Sequence, residues 1–128
     1  MIGVTKFLNK RSIGSGYEAL AVSQIRDNGG IILETNYRSK GGEIDIIARD
    51  GRYLCFIEVK YRSSDRFGGP EAAVNIAKQR KICKVSEYYL YCKRYGEDTP
   101  VRYDVLSMSG QDNAITVRWI KNAFEYVG

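Results

Sequence analysis

The chain has 128 residues, with 20 Lys and Arg against 15 Asp and Glu, so its net charge is +5. It contains no histidine, which excludes serine-histidine and cysteine-histidine catalysis and any imidazole metal site. The length predicts one domain over residues 1–128, and the charge favours an acidic partner such as nucleic acid, although it would serve solubility alone.

Cysteine usage and hydropathy point to the cell interior. The three cysteines, Cys55, Cys83 and Cys92, form no Cys-x-x-Cys pair and fall at core-like positions of a predicted strand and a predicted helix. This favours buried thiols in a reducing compartment over disulfides or zinc. No apolar run approaches a membrane span, and residues 1–10 lack the pattern of a signal peptide. We therefore expect a soluble, cytoplasmic protein with no membrane partner.

The first predicted element is a helix that Ser15 caps and that ends near Asp27, before Asn28-Gly29-Gly30. Glu18 would then lie in its first turn. A strand over residues 31–38 and a polar turn over residues 39–42 follow. The next two strands, over residues 44–49 and 53–60, flank a hairpin turn.

The hairpin turn predicts which side chains share a face. With Asp50-Gly51 as the two central turn residues, Asp45 pairs with Phe56. Because side chains alternate along a strand, Glu58 and Lys60 then share the face of Asp45, with Glu58 as its diagonal neighbour. The prediction requires a ladder without a one-residue bulge.

Two explanations fit these charged residues. The rest of the hairpin is apolar on both faces, as in a central sheet covered by helices, and charges there are costly unless they are paired or bind metal. Asp45, Glu58 and Lys60 form either a structural ion pair or an oxygen-lined cation site. Glu43, on the same face, is either a solvated strand-end residue or a further site acid. Clustered carboxylates repel one another without a cation, which favours metal.

The second half of the chain completes an α/β pattern. A basic loop over residues 61–69 precedes a long helix from Pro70 to about Tyr95, where Gly96 provides the stop. The helix lysines and arginines fit a solvated face better than a phosphate track. Two strands, over residues 101–108 and 114–120, and a short amphipathic helix over residues 122–127 follow. This order predicts a mixed central sheet flanked by helices.

Several short stretches in a fixed order together resemble one known family, the uncharacterised YraN-like proteins. The matching stretches are residues 14–18, Asn36-Tyr37-Arg38, Gly42-Glu43-Ile44-Asp45, Glu58-Val59-Lys60 with Arg62, Phe67-Gly68, Ala73-Val74, Lys78-Gln79, Arg102-Tyr103-Asp104-Val105 and residues 119–124. That family is related in fold to restriction endonucleases and similar to archaeal Holliday junction resolvases. The resemblance implies a restriction endonuclease-like, PD-(D/E)XK core.

The resemblance also implies a metal site and its ligands. Asp45 and Glu58 would bind Mg²⁺ or Mn²⁺ together with the backbone carbonyl of Val59. Lys60 would orient a metal-bound water or stabilise charge that builds on the phosphate.

Two further candidates each have a plain alternative. Glu18 would hold a water or a second ion, as the corresponding acid does in resolvase-like relatives, or is a carboxylate favoured by the helix dipole. Gln79 would orient water or phosphate, or is an ordinary exposed helix residue.

Basic and aromatic residues near the same end of the hairpin are candidates for nucleic-acid contact. The candidates for phosphate contacts are Arg38, Lys40, Arg62 and Arg66. Tyr37, Tyr61 and Phe67 interleave with them and would stack on bases or serve as packing residues. The sequence contains no sequence-reading module, which favours structure-selective or nonspecific binding.

We therefore expect a metal-dependent endonuclease of branched or structured DNA or RNA, with DNA favoured. The alternative is a catalytically silent module that keeps the nuclease fold and binds nucleic acid or protein. An enzyme of small phosphorylated metabolites fits less well, because no glycine-rich phosphate loop follows a strand. A homodimer would match the two strands that a four-way junction offers for cutting.

Overall fold

The structure, a computed structural model, describes residues 10–62, 72–110 and 114–128, with the backbone alone for residues 10–15. In chain order the described elements are α1 (Lys10–Asp27), β1 (Ile31–Ser39), β2 (Gly42–Asp50), β3 (Tyr53–Arg62), α2 (Ile76–Cys92), β4 (Val101–Ser109) and β5 (Thr116–Phe124). Neither of these two helices is both long and apolar enough to cross a membrane.

The strands form one five-stranded sheet in the order β1-β2-β3-β4-β5. Strands β3 and β4 are parallel, and the other neighbours are antiparallel. A parallel pair needs a crossover, and α2 lies in the connection between these two strands. The predicted α/β fold with a mixed sheet is confirmed.

Apolar side chains cover both faces of β2 and β3. On one face, here called the α1 face, Ala21 and Ile25 of α1 pack with Ile46, Ala48, Cys55, Ile57, Leu106 and Met108. On the other, the α2 face, Ile82, Cys83, Val85 and Tyr89 of α2 pack with Ile44, Ile47, Leu54, Phe56 and Tyr103. The expectation that both hairpin strands are buried on both sides is confirmed, so charged groups on them need partners.

The predicted start of α1 at Ser15 was wrong, because the helix begins at Lys10. The prediction rested on Ser15 as a capping residue, but the helix continues through Gly14 and Gly16, each of which costs a helix only about 1 kcal/mol relative to alanine. The earlier start places Glu18 well inside the helix, and no acid lies in the first turn. The helix-dipole explanation of Glu18 therefore fails.

The predicted start of α2 at Pro70 was also wrong, because the helix begins at Ile76. Asn75 is its N-cap, and its side-chain Oδ1 accepts a hydrogen bond of 2.9 Å from the Lys78 backbone N–H. Asparagine is among the strongest N-cap residues because it satisfies one of the free N–H groups of the first turn. Pro70 itself lies outside the described residues.

The end of α2 falls at Cys92, before the predicted Tyr95. Arg94 takes the left-handed conformation, with φ 61°, that glycine usually provides after a helix. The Tyr95 N–H donates to the Leu90 carbonyl at 3.0 Å, so the last turn is closed without Gly96.

We expect Asn75→Ala to lower the free energy of unfolding by about 1 kcal/mol, because the Lys78 N–H loses its side-chain acceptor. Urea unfolding followed by circular dichroism measures this loss. Asn75→Ser keeps a capping oxygen and should retain most of the stability. Equal stabilities of the alanine variant and the parent protein would contradict this role.

The predicted C-terminal helix over residues 122–127 was wrong. Strand β5 continues to Phe124, which pairs with Tyr103 across a bulge in the β4–β5 ladder. Asn122 has a positive φ of 56°, and its N–H donates to Asp104 Oδ1 at 2.8 Å. The bulge and this bond keep residues 122–124 in the edge strand β5. These contacts outweigh the weak amphipathic pattern from which a helix was predicted.

The cysteines follow the prediction in two of three cases. Cys55 and Cys83 are buried and free, whereas Cys92, the last residue of α2, is exposed and was wrongly placed in the core. Burial raises the pKa of the Cys55 thiol to about 12. Cys55 therefore stays protonated, and it acts as a small apolar side chain.

Asp104 is a fully buried carboxylate on β4. It accepts hydrogen bonds from Arg102 Nε at 2.9 Å and Nη2 at 2.8 Å, and from Trp119 Nε1 at 2.9 Å. The Asn122 N–H completes its set of donors. Arg102 Nη2 also donates to Asp50 Oδ2 at 2.9 Å, so the cluster joins β4 and β5 to the end of β2.

The edge of this cluster is less buried and fixes the hairpin turn. Lys121 Nζ lies 2.9 Å from Asp50 Oδ2, the same oxygen that Arg102 contacts. Hydrogen bonds from Lys121 and Arg102 lower the pKa of Asp50, so this carboxylate stays charged. Hydrogen bonding to Asp104 raises the pKa of Arg102 above its usual range. Asp50 is therefore held in place by residues far from it in sequence.

Candidate functional site

The hairpin register differs from the prediction by two residues. Asp50 pairs with Tyr53, so Gly51 and Arg52 are the central turn residues. Ile47, and not Asp45, pairs with Phe56. Asp50 stays in the ladder because Arg102 and Lys121 hold its carboxylate, as described above.

This shift keeps the predicted face, because the side-chain period of a strand is two residues. The ladder runs as far as Ile46 paired with Ile57, and the next residues outward are Asp45 and Glu58. One further step of the same register would pair Asp45 with Glu58. Directly opposite residues lie closer together than the diagonal neighbours that the sequence predicted.

Strand β2 also breaks its alternation at Asp45. Ile46 packs on the α1 face, but Ile44 packs on the α2 face, whereas the regular alternation of a strand would place both on one face. In the β1–β2 register Asn36 would face Asp45, and Asn36 has a positive φ of 52°. Strands β1 and β2 are therefore both irregular next to Asp45.

The irregularity turns the Asp45 carboxylate toward β3. The Val59 backbone N–H donates to Asp45 Oδ2 at 2.8 Å, so the side chain replaces a backbone acceptor where the ladder ends. This bond holds the carboxylate beside the backbone of Val59 and next to Glu58. The two acids meet even though the ladder is not regular.

The acid pair is partly buried, with the Glu58 side chain 14% exposed, and it resists ionisation. Burial raises the pKa of Asp45, while hydrogen bonds from Val59 and with Glu58 oppose the rise. Burial and the nearby charge of Asp45 raise the pKa of Glu58 to about 7. The pair therefore tends to keep a proton near neutral pH, and a bound cation would displace it.

Two lysines lie on the α2 side of this pair. Lys78 Nζ is 3.6 Å from Glu58 Oε2, and its charge lowers the pKa of both acids. Lys60 Nζ donates to the Ala73 carbonyl. Both lysines and Glu58 line a cavity of about 260 Å³ with Ala73, Val74 and Asn75.

Sequence reasoning missed the role of Lys78, which it placed on a solvated helix face. The available signal was Asn75, because a cap three residues earlier puts Lys78 in the first turn of α2. That turn carries free N–H groups and faces the acids, so both the helix end and the lysine favour negative charge there.

The other two predicted catalytic residues lie farther from the acids. Gln79 is half-buried, and its Nε2 donates to the Val74 carbonyl at 2.8 Å, which holds one wall of the cavity. Glu18 is half-buried on α1, the helix that covers the opposite face of the sheet. The contacts described above join Asp45 and Glu58 to Val59 of β3, to Lys78 of α2 and to each other.

The Glu43 side chain contacts Arg38 at the strand end, and its charge still affects the pKa of Asp45. Its Oε1 lies 3.2 Å from Arg38 Nε, and its charge raises the pKa of Asp45. Among the described residues no group of three or more acids or cysteines gathers to hold a metal ion. Any cation there would rely on Asp45, Glu58 and backbone oxygen.

The basic candidates do not all gather. Arg38 and Lys40 line a cavity of about 620 Å³ with residues of the β1–β2 turn and α2. Arg62 ends β3, where its carbonyl accepts the Gly110 N–H at 3.2 Å. Arg66 and Phe67 lie outside the described residues.

The described aromatic candidates act in packing. Tyr37 meets Tyr89 edge-on at 5.0 Å between ring centroids. Tyr61 stacks on Tyr17 at 4.6 Å, and its hydroxyl donates to the Gly110 carbonyl at 2.7 Å. These contacts favour the packing role that the sequence left open for both tyrosines.

The raised pKa of Glu58 predicts a pH effect on stability in metal-free buffer. Its pKa rises from 4.5 to about 7 on folding, so between these values the folded chain holds more protons than the unfolded chain. The Glu58 contribution to the free energy of unfolding is therefore present below about pH 4.5 and lost as the pH rises through about 7.

Glu58→Gln should remove this contribution, while Glu43→Gln should keep it. Urea unfolding with EDTA at several pH values measures the difference between each variant and the parent protein. Parallel pH curves for the parent protein and Glu58→Gln would contradict the raised pKa.

Comparison with known proteins gives one consistent result. The model of the uncharacterised protein family UPF0102 matches residues 17–108. A UPF0102 protein of Lachnoclostridium phytofermentans is 44% identical over 121 residues, which covers 94% of this chain and 99% of that protein. One of Acetivibrio thermocellus is 47% identical over 122 residues, covering 91% and 93%. One of Legionella pneumophila strain Corby is 42% identical, covering 88% and 93%.

Proposed function

This chain belongs to the UPF0102 family, the YraN-like proteins that its motifs resemble, and we propose that it is a nucleic-acid-binding, metal-dependent endonuclease. The proposed fold is restriction endonuclease-like, and the substrate is branched or structured DNA or RNA, with DNA favoured. The carrying observation is the partly buried pair Asp45 and Glu58, which meets beside two lysines where the hairpin ladder ends.

The residues present fit Mg²⁺ or Mn²⁺. Both ions prefer oxygen ligands, and Mg²⁺ is commonly held by one or two carboxylates while it keeps several waters. Asp45 and Glu58 are two such carboxylates, and burial raises the pKa of each. A bound cation would relieve the repulsion between their charged forms. The backbone carbonyl of Val59 is the third proposed ligand, since its N–H already binds Asp45.

A bound divalent ion would supply Lewis-acid polarisation of the phosphate and a more acidic water. The chain's own residues would place the phosphate. Lys60 and Lys78 present positive charge to the same cavity as Glu58 and would stabilise charge that builds on the phosphate oxygens. Gln79 would act as a positioning residue through Val74, whose carbonyl it binds.

The test is direct. Purified protein is incubated with fluorescent four-way junction, single-stranded and duplex DNA, and with the matching RNA, in Mg²⁺, Mn²⁺ or EDTA. Cleavage in the metal buffers that EDTA stops, and that Asp45→Asn lacks, supports the proposal. Equal cleavage by the parent protein and this variant would reject catalysis by the acid pair.

A second candidate function rests on the contacts that already satisfy the acids. Lys78 pairs with Glu58, and Val59 binds Asp45, so the pair is partly compensated without a cation. A catalytically silent module that binds nucleic acid or a protein would keep these contacts. Such a module would bind the same substrates in EDTA and in Mg²⁺ and would cleave none of them.

A homodimer is part of the nuclease proposal, because a two-fold protein matches the symmetry of a four-way junction. Analytical ultracentrifugation with and without junction DNA tests it. Cleavage by a protein that remains monomeric on the junction would remove the dimer from the proposal.

A further inference from the structure

We propose that the cleft between the β1–β2 turn and α2 binds the phosphate backbone of the DNA strand that leads to the acid pair. This inference rests on the proposed function and adds a binding site to it. The cleft, here called the basic cleft, has a volume of about 620 Å³ and is lined by Arg38, Ser39, Lys40, Gly41, Lys84 and Tyr88.

Two glycines let the turn approach the helix. A Cβ at Gly41 would lie 3.3 Å from Cδ of Lys84, and a Cβ at Gly42 would lie 3.6 Å from Cγ2 of Val85. Gly42 also has a φ of +142°, which L side chains rarely adopt. The turn therefore lies directly on α2, and the lysine stem packs along it.

The charges at the mouth of the cleft are accessible. Lys40 and Lys84 are exposed, and the Arg38 side chain is 77% exposed even though it contacts Glu43. Surface ion pairs of this kind are weak, so the Arg38–Glu43 contact does not prevent Arg38 from meeting a phosphate. Two backbone segments thus hold three cations around one concave surface.

Tyr88 adds a flat, half-exposed ring to the same surface. Aromatic rings beside a basic groove stack on unpaired bases, which suits a branched or frayed substrate.

A row of lysines connects the basic cleft to the acid pair. Lys78, Lys81 and Lys84 are spaced by three residues and lie on one side of α2. Lys78 meets Glu58, Lys81 lies beside Gly42, and Lys84 lies on Gly41. From the first to the last the helix rises by about 9 Å.

This length fits a nucleic-acid strand. Phosphates of one B-DNA strand follow at about 3.4 Å along the axis, so about 9 Å spans two to three of them. If one phosphate of a strand lies in the basic cleft, the phosphate two to three nucleotides further along that strand would reach Glu58 and Lys60. The same lysines that the sequence assigned to a solvated face form the track.

The test measures binding in EDTA, so that no strand is cut. Fluorescence anisotropy gives the dissociation constant of labelled junction DNA over a range of salt concentrations. Lys84→Met keeps the stem over Gly41 and removes only the charge. Arg26→Met is the matched control, because Arg26 is exposed at the end of α1, on the opposite face.

We expect Lys84→Met to bind about eightfold more weakly at 0.1 M salt and to lower the salt slope by about 0.9, as the loss of one phosphate contact predicts. Lys81→Met should act similarly, Lys84→Arg should restore binding, and Arg26→Met should match the parent protein. An equal effect of Lys84→Met and Arg26→Met would overturn the inference.

The outcomes separate this inference from the proposed function. If the parent protein binds and cleaves DNA but Lys84→Met and Lys81→Met bind normally, the basic cleft is not the track and the nuclease stands. If the parent protein binds no DNA or RNA at any salt concentration, both fall. Binding of RNA alone through Lys84 would overturn the choice of DNA.

Discussion

Asp45→Asn is expected to lower Mg²⁺-dependent cleavage by at least about 100-fold, since even residues that only support a metal ligand typically cost up to that much when removed. Asparagine keeps a carbonyl oxygen that can accept the Val59 N–H, but it lacks the negative charge. The variant should therefore fold. Because it also removes repulsion with Glu58, its stability in EDTA should equal or exceed that of the parent protein.

Glu43→Gln is the matched control for this prediction. Glu43 lies two residues before Asp45, is also an acid, and contacts Arg38 at the strand end. Its replacement should leave cleavage nearly unchanged. Equal losses in Asp45→Asn and Glu43→Gln, measured in a gel assay with junction DNA, would mean that general charge and not the acid pair supports cleavage.

Asp104→Ala is expected to lower the free energy of unfolding by about 3–5 kcal/mol. Asp104 is fully buried and accepts hydrogen bonds from Arg102, Trp119 and the Asn122 backbone. Removing the carboxylate leaves a largely buried guanidinium, an indole N–H and a backbone N–H without their acceptor. Small domains are stable by only about 5–15 kcal/mol, so the variant should be close to unfolding.

Two variants give this prediction its controls. Lys121→Ala removes only a partly exposed contact to Asp50 and should cost about 1 kcal/mol or less. The double variant Arg102→Met, Asp104→Leu removes both partners and should recover part of the loss. Urea unfolding measures all three. A loss for Asp104→Ala no larger than for Lys121→Ala would contradict the account of the cluster.

Apart from the C-terminal helix, the order of strands and helices was predictable because it depends on local patterns. Alternating and branched residues marked the strands, and the run of apolar residues on both hairpin faces predicted cover on both sides. The family was predictable for a similar reason, since many weak motifs occurred in one order. The start of α2 was also a local feature, but the prediction rested on Pro70, whereas Asn75 is the actual cap.

The hairpin register could not be read from its turn. Asp50-Gly51 is a strong local signal for the two central turn residues, but contacts with Arg102 and Lys121, more than fifty residues away, keep Asp50 in the ladder. The error was two residues, which is one full side-chain period, so Glu58 keeps its predicted face. Asp45 lies beyond the last paired residues and meets Glu58 through the irregularity of β2 and the bond from Val59.

The features that depend on distant partners were missed. The Asp104 cluster joins residues of three strands, and no periodicity of one segment reveals it. The irregular ladder at Asp45, and the Val59 bond that compensates for it, depend on how β1, β2 and β3 meet. The contact of Lys78 with Glu58 depends on where α2 begins relative to the sheet.

The most direct test of the acid pair is calorimetric titration of the chain with Mn²⁺ and Mg²⁺ near pH 7 in two buffers of different ionisation enthalpy. Because Glu58 has a pKa of about 7, ion binding should release a proton, and Asp45→Asn and Glu58→Gln should lose both binding and release. We expect saturable binding at millimolar concentrations or below in the parent protein only. No binding by the parent protein, or equal binding by all three proteins, would contradict a metal site at Asp45 and Glu58.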